Sequence, residues 1–87
     1  MSAFVSMPDT SVPAPAVRMP GVRLARVNTA LWRVVDAAGF VRGHLEAVAD
    51  PLGVRYRARR FRAAASAFLD LGEFWSPDDA VAALMAR

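Results

Sequence analysis

The residues most suited to chemistry in this chain are concentrated in one short segment, VRYRARRFR, at residues 54–62. The segment holds five arginines and no acidic residue. A guanidinium group stays charged at neutral pH, and its fork of N–H donors matches phosphate oxygens and the edge of guanine. The segment therefore predicts a contact surface for phosphate groups, formed by Arg55, Arg57, Arg59, Arg60 and Arg62, with Tyr56 at its boundary.

Residue types that carry out catalysis are sparse. No cysteine is present, so the chain has no thiolate metal site. His44 is the only histidine, and the serines Ser66 and Ser76 that a histidine base could activate lie far from it in sequence. Four acids lie close together in sequence, but two of them, Asp78 and Asp79, are explained by the start of a helix. No glycine-rich phosphate loop is present. We expect a protein that is not an enzyme and that needs no cofactor, metal ion or small-molecule substrate.

Length and composition indicate a small cytoplasmic protein. The 87 residues carry a net charge of +3, and no uninterrupted apolar run approaches the 20 or so residues that a bilayer crossing needs. The start, MSAFVSMPDT, lacks the basic and apolar regions of a secretory signal. All basic side chains are arginines, which is typical of a bacterium with a GC-rich genome.

Prolines divide the chain into two parts. Four of the six lie at residues 7–21, where they disfavour helix and central strand. We predict a flexible tail over residues 1–22 and a single small domain over residues 23–87. A domain of about 65 residues buries only about 60% of its unfolded surface, so a partner or self-association would add stability.

The domain begins with a hairpin pattern. Two β-branched and aromatic runs, at about 30–36 and 40–48, flank an Asp-Ala-Ala-Gly link in which Gly39 is free to close the turn. Gly43 could mark a bulge in the second strand. After the turn at ADPLG, apolar and charged residues alternate from Val54 onwards, which predicts a third strand with an arginine face.

The segment at residues 57–71 fits two structures. Phe61, Ala64, Ala65 and Phe68 have helical spacing, whereas the same residues can form a hairpin that turns around Ala63 to Ser66. We favour the hairpin.

The last element is a helix at residues 77–86. Ser76 suits the N-cap and Pro77 the first helical position, while Asp78 and Asp79 put negative charge at the N-terminal turn. The sequence thus predicts an α+β fold, in which a small antiparallel sheet of three or four strands packs on the C-terminal helix. The predicted core contains Trp32, Val34, Val41, Leu45, Phe61, Phe68, Leu71, Phe74, Val81 and Leu84.

Three stretches, WRVVDAAG, YRARRF and FWSPDDAVAAL, resemble the AP2-like or arm-type DNA-binding domains at the N-termini of tyrosine recombinases. The aromatic residue and capped helix of that family are matched by Phe74, Ser76, Ala80 and Leu84. The resemblance covers at most residues 30–86, and residues 63–70 are an insertion relative to it. It implies a three-stranded sheet laid in the DNA major groove, with Arg42, Arg55, Arg57 and Arg59 as contacts.

Two functional hypotheses follow. The first is non-enzymatic binding of nucleic acid, above all duplex DNA, by the arginine face, with affinity that falls steeply with salt. The second is a protein-interaction or homodimerisation module, in which the basic strand meets an acidic surface such as residues 70–79 of a second copy. The arginine row could also be a solvated face that is partly paired with Asp36, Glu46 or that acidic segment.

Overall fold

The fold is a five-stranded antiparallel sheet with one helix packed on it. The computed structural model describes residues 12–86. Its elements are β1 (Arg23–Asn28), β2 (Leu31–Val35), β3 (Val41–Asp50), β4 (Gly53–Arg62), a short 3-10 helix (Ala63–Ala65), β5 (Ala67–Phe74) and α1 (Pro77–Met85). The strands are adjacent in chain order, and every neighbouring pair is antiparallel. The predicted α+β class is confirmed, with five strands instead of three or four.

Tight turns join the strands because their side chains satisfy local backbone groups. One Asp36 carboxylate oxygen accepts hydrogen bonds of 2.9 Å from two amides of the β2–β3 turn, where Gly39 has a φ of 88°. Asp50 likewise accepts from an amide of the next turn at 2.9 Å. The segment at residues 57–71 is the favoured hairpin, closed by the short 3-10 helix and by Ser66 in the left-handed conformation.

Helix α1 begins and packs as its sequence predicts. The Ser76 hydroxyl accepts a hydrogen bond of 3.3 Å from the amide of Asp79, which is the expected N-cap. Its apolar side, Ala80, Val81 and Leu84, is fully buried. No helix within residues 12–86 has the length and apolar character that a membrane crossing requires.

The core lies between α1 and one face of the central strands. Its buried cluster comprises Val34, Leu45, Ala58, Ala80, Val81 and Leu84. Gly43 allows β3 to pass close to its neighbours, because a Cβ there would lie 2.2 Å from the Arg59 carbonyl oxygen and 2.7 Å from Leu84 Cδ2. The bulge suggested by Gly43 is also present: Val34 pairs with Gly43 and Val35 with Val41, so Arg42 is the extra residue.

Five predicted core residues, Trp32, Val34, Leu45, Val81 and Leu84, are fully buried, and Leu71 and Phe74 pack on the cluster.

Three predictions of core residues are wrong. Val41, Phe61 and Phe68 are 52%, 49% and 46% exposed, respectively. The prediction for Val41 assumed that residues 41 and 45 of β3 face the same side of the sheet. The extra residue at the bulge, Arg42, interrupts this alternation between Gly43 and Val41. Phe61 and Phe68 pair with each other near the end of the β4–β5 hairpin, on the face that α1 does not cover.

The N-terminal segment is more closely attached than its prolines suggest. Residues 1–11 of the predicted tail at 1–22 lie outside the described part of the chain. Residues 12–22 run without helix or strand, as predicted, but the backbone amide of Arg18 donates to Asp78 Oδ1 at 2.7 Å. Three apolar side chains of this stretch pack against the core cluster: Val17, Met19 and Val22. Residues 12–22 therefore belong to the folded domain.

Candidate nucleic-acid interface

The face of the sheet opposite α1 brings most of the charged residues together. Residues that pair directly across antiparallel strands project to the same side, and so do alternate residues of one strand. The register therefore defines an open face, so named because no element within residues 12–86 packs on it as α1 packs on the other side. Its members include Arg33, His44, Glu46, Arg55, Arg57, Arg59, Phe61, Phe68, Asp70 and Glu73.

One half of the open face is an ion-paired ladder centred on Arg57. Its Nη2 lies 2.7 Å from Glu73 Oε2, and its Nη1 lies 3.3 Å from Glu46 Oε1. These contacts follow from the register, because Glu46, Arg57 and Glu73 are direct partners across β3, β4 and β5. The hydrogen bond to Glu73 raises the pKa of Arg57, with smaller contributions from the charges of both glutamates.

Arg55 extends this ladder towards the β3–β4 turn. Its Nε lies 2.9 Å from Asp50 Oδ2, although the N–H does not point at the carboxylate, so the contact is an ion pair and not a hydrogen bond. Its Nη1 lies 3.7 Å from Glu73 Oε1, and its guanidinium lies 4.7 Å from the centre of the Trp75 ring. The ladder, Glu46, Asp50, Arg55, Arg57 and Glu73, thus sets three carboxylates against two guanidiniums.

The other half of the open face carries a basic row. Arg33, His44 and Arg59 are consecutive partners across β2, β3 and β4. Neither guanidinium of the row forms an ion pair with a residue in the described range 12–86. Asp70 is the register partner of Arg59 on β5, but its Oδ1 accepts a hydrogen bond of 3.0 Å from the amide of Gly72. This half therefore holds two guanidiniums that form no ion pair within residues 12–86.

The surroundings of His44 favour its neutral form. Burial lowers the pKa of its imidazole below the ordinary value of 6.5, and the positive charges of Arg33 and Arg59 lower it further. The ring also stacks on Phe68, with 4.7 Å between centroids and 27° between planes. His44 therefore joins the basic row to an aromatic surface.

That aromatic surface consists of Phe61 and Phe68, whose ring centroids lie 5.2 Å apart at an angle of 59°. Sequence reasoning assigned both residues to the core. The alternation itself carried the missed signal, because Phe61 lies two residues after Arg59 and so shares its face of the strand. Arg33 was not predicted as a member of this surface, because the prediction for β2 considered only its apolar residues.

The other predicted contact residues lie elsewhere. Arg60 donates to the carbonyl oxygens of Ala83 at 3.2 Å and Leu84 at 3.0 Å, and also to that of Ala86, at the C-terminal end of α1. Arg42 contacts Asp36 at 3.4 Å and the Met85 carbonyl oxygen at 3.5 Å. Both arginines therefore satisfy carbonyl groups that the helix leaves without intrahelical partners.

Tyr56 packs against the core on the helix side, and Arg62 is exposed at the tip of the β4–β5 hairpin. Of the seven predicted residues, Arg55, Arg57 and Arg59 share the open face. Arg59 alone among these three is outside the ion-paired ladder. The predicted surface is thus divided between the two sides of the sheet.

Comparisons with protein-family models, curated proteins and solved structures gave no match to this chain. The resemblance to recombinase DNA-binding domains stays a prediction from the sequence. Function is therefore inferred from the open face itself.

Proposed function

We propose that the protein binds nucleic acid, without catalysing a reaction, through the basic row of its open face. The supporting observation is that Arg33 and Arg59 flank His44, whose pKa is lowered, on an open sheet and form no ion pair within residues 12–86. Unpaired guanidiniums are well suited to phosphate oxygens because their planar donors engage two oxygens at once.

The proposed contacts exclude the ladder because its arginines already have carboxylate partners. A phosphate that approaches Arg57 must displace or repel Glu46 and Glu73, both of which already contact its guanidinium. Arg33 has no acidic register partner, and Asp70, the register partner of Arg59, forms no ion pair with it within residues 12–86. We therefore assign the phosphate contacts to Arg33 and Arg59 of the basic row.

Two such contacts set a modest salt dependence. Each engaged phosphate contributes about 0.9 to the slope of log K against log salt for duplex DNA and about 0.7 for a single strand. The expected slope is therefore about −1.8 for duplex DNA and about −1.4 for a single strand.

Fluorescence anisotropy with labelled random-sequence 20-mers, single-stranded and duplex, at two salt concentrations tests this proposal. Arg33→Gln and Arg59→Gln should each weaken binding and reduce the slope by about one contact. Arg18→Gln is the matched control, since it removes the same charge from an exposed residue on the helix side. Absence of binding at low salt, or an equal loss in Arg18→Gln, would refute the proposed site.

Homodimerisation is the second candidate, and the division of the open face favours it. Two copies related by a twofold axis, face to face, would set each basic row against the carboxylate-rich ladder of its partner. Static light scattering without nucleic acid would then give twice the monomer mass, and the dimer would dissociate as salt is raised. A dimer that forms while no oligonucleotide binds would favour this candidate over the first.

A further inference from the structure

We infer that the nucleic acid bound by the open face is single-stranded, with bases stacked on Phe61 and Phe68. This inference rests on the proposed function, because it names the form of nucleic acid that the same face would take. Single-stranded binders combine cations along the backbone path with aromatic rings that receive unpaired bases. The basic half of the open face holds both kinds of group.

The two phenylalanines are available because the core does not use them. They are 49% and 46% exposed, although residues of this type are usually buried. Phe68 is also held in place, since its ring stacks on His44 at 4.7 Å and contacts the Phe61 ring at 5.2 Å. A ring already fixed in orientation loses little conformational entropy when a base stacks on it.

The cations lie at positions that suit a strand crossing these rings. Neighbouring strands are about 4.8 Å apart, so the backbone positions of Arg33 and Arg59, two strands apart, are separated by about 10 Å. His44 lies between them and carries the stacked Phe68 ring. Arg59 lies two residues before Phe61 on the same face of β4. Phosphates can therefore contact cations next to a base that stacks on the rings.

A duplex fits this face less well. Five strands span about 19 Å, which exceeds the width of about 12 Å that the major groove offers to a helix or a two-stranded ribbon. The bases of a duplex are also stacked on one another, so their faces are not open to Phe61 and Phe68. The inferred partner thus differs from the duplex DNA expected from the sequence.

The test compares a labelled single-stranded dT15 with a random-sequence 15-mer duplex by anisotropy at low salt. Phe68→Leu and, independently, Phe61→Leu remove the ring and retain apolar volume at exposed positions. Each should weaken dT15 binding by about fivefold to a hundredfold and leave duplex binding unchanged. Phe40→Leu is the matched control, because Phe40 is 70% exposed in the β2–β3 turn. Circular dichroism confirms that each variant is folded.

The outcomes separate the inference from the proposed function. Tighter binding of dT15 than of duplex, lost in both ring variants and retained in Phe40→Leu, supports the inference. Tighter duplex binding, or dT15 binding that neither ring variant weakens, overturns the inference and leaves nucleic-acid binding in place. Absence of binding to either oligonucleotide overturns both.

Discussion

Replacing Glu73 by Gln tests how the ladder limits the open face. Glu73 is the carboxylate shared by both ladder arginines, with Oε2 at 2.7 Å from Arg57 Nη2 and Oε1 at 3.7 Å from Arg55 Nη1. Glutamine keeps the shape of the side chain and removes its charge. If the carboxylates are what exclude phosphate from these arginines, Glu73→Gln should bind nucleic acid more tightly than the wild-type protein.

Arg57 keeps its contact with Glu46 and Arg55 keeps its contact with Asp50, so the gain is at most one further phosphate contact. One contact should steepen the single-strand salt slope by about 0.7. At about 0.1 M salt, this corresponds to a gain in affinity of up to about fivefold. The free energy of unfolding should change little, because the side chains of Arg57 and Glu73 are 26% and 31% exposed and surface ion pairs contribute weakly.

Anisotropy titrations of a labelled single strand over a range of salt concentrations give both the affinity and the slope. Asp79→Asn makes the same change in net charge at the N-terminus of α1, on the other side of the sheet. A gain confined to Glu73→Gln places the released arginines on the phosphate path. An unchanged slope in Glu73→Gln, or an equal gain in Asp79→Asn, would show that the ladder does not control binding.

Three further predictions concern the residues that support the open face. Gly43→Ala should lower the free energy of unfolding in urea by about 3 kcal/mol, because the new Cβ would meet the Arg59 carbonyl oxygen at 2.2 Å; a loss below about 0.5 kcal/mol would contradict the close approach. Arg60→Met should cost about 1–2 kcal/mol in the same assay, since it removes the donor to three helix carbonyls, and should leave the salt slope of binding unchanged. The pKa of His44 is lower in the folded protein than in the unfolded chain, so the unfolded chain binds more protons below pH 6.5. The contribution of His44 to the free energy of unfolding is therefore fully present above pH 6.5 and is lost as pH falls towards the folded pKa. Urea unfolding at pH 7.5 and 5.5 should therefore show a larger acid-side loss in the wild-type protein than in His44→Gln, and equal losses would refute the lowered pKa that burial and the two arginines give the imidazole.

Local sequence signals were sufficient for most elements of the fold. The β2–β3 hairpin, the turn at Asp50 and the start of α1 each depend on side chains that bond within a few residues, and all three were predicted. β1 was not predicted, because its six residues become a strand by pairing with β2 and by the packing of Leu24 on the core. Likewise, the pairing of Phe61 with Phe68 decides between hairpin and helix at residues 57–71, and that pairing is a tertiary contact.

The candidate site was predictable to a similar extent. Strand alternation places Arg55, Arg57 and Arg59 on one face, as the register confirms. Their neutralisation was not decided by the sequence, because Glu46 and Glu73 reach Arg57 from two other strands whose register fixes the distances. The alternative left open by the sequence, in which the arginine row is partly paired with Glu46 or with the acidic segment 70–79, is what the structure shows for Arg55 and Arg57.

The ladder also decides the direction in which a polyanion can lie on the sheet. The sequence suggested a path along β4, from Arg55 to Arg59, but that path crosses the carboxylates of Asp50, Glu46 and Glu73. A path across the strands, from Arg33 over His44 to Arg59, meets no carboxylate that contacts these arginines within residues 12–86. Because phosphate binding is dominated by charge, the path across the strands is the favoured one. If the proposed function holds, the register that pairs Arg55 and Arg57 with carboxylates leaves Arg59, two residues before the exposed Phe61 on the same face of β4, as the contact nearest the phenylalanines.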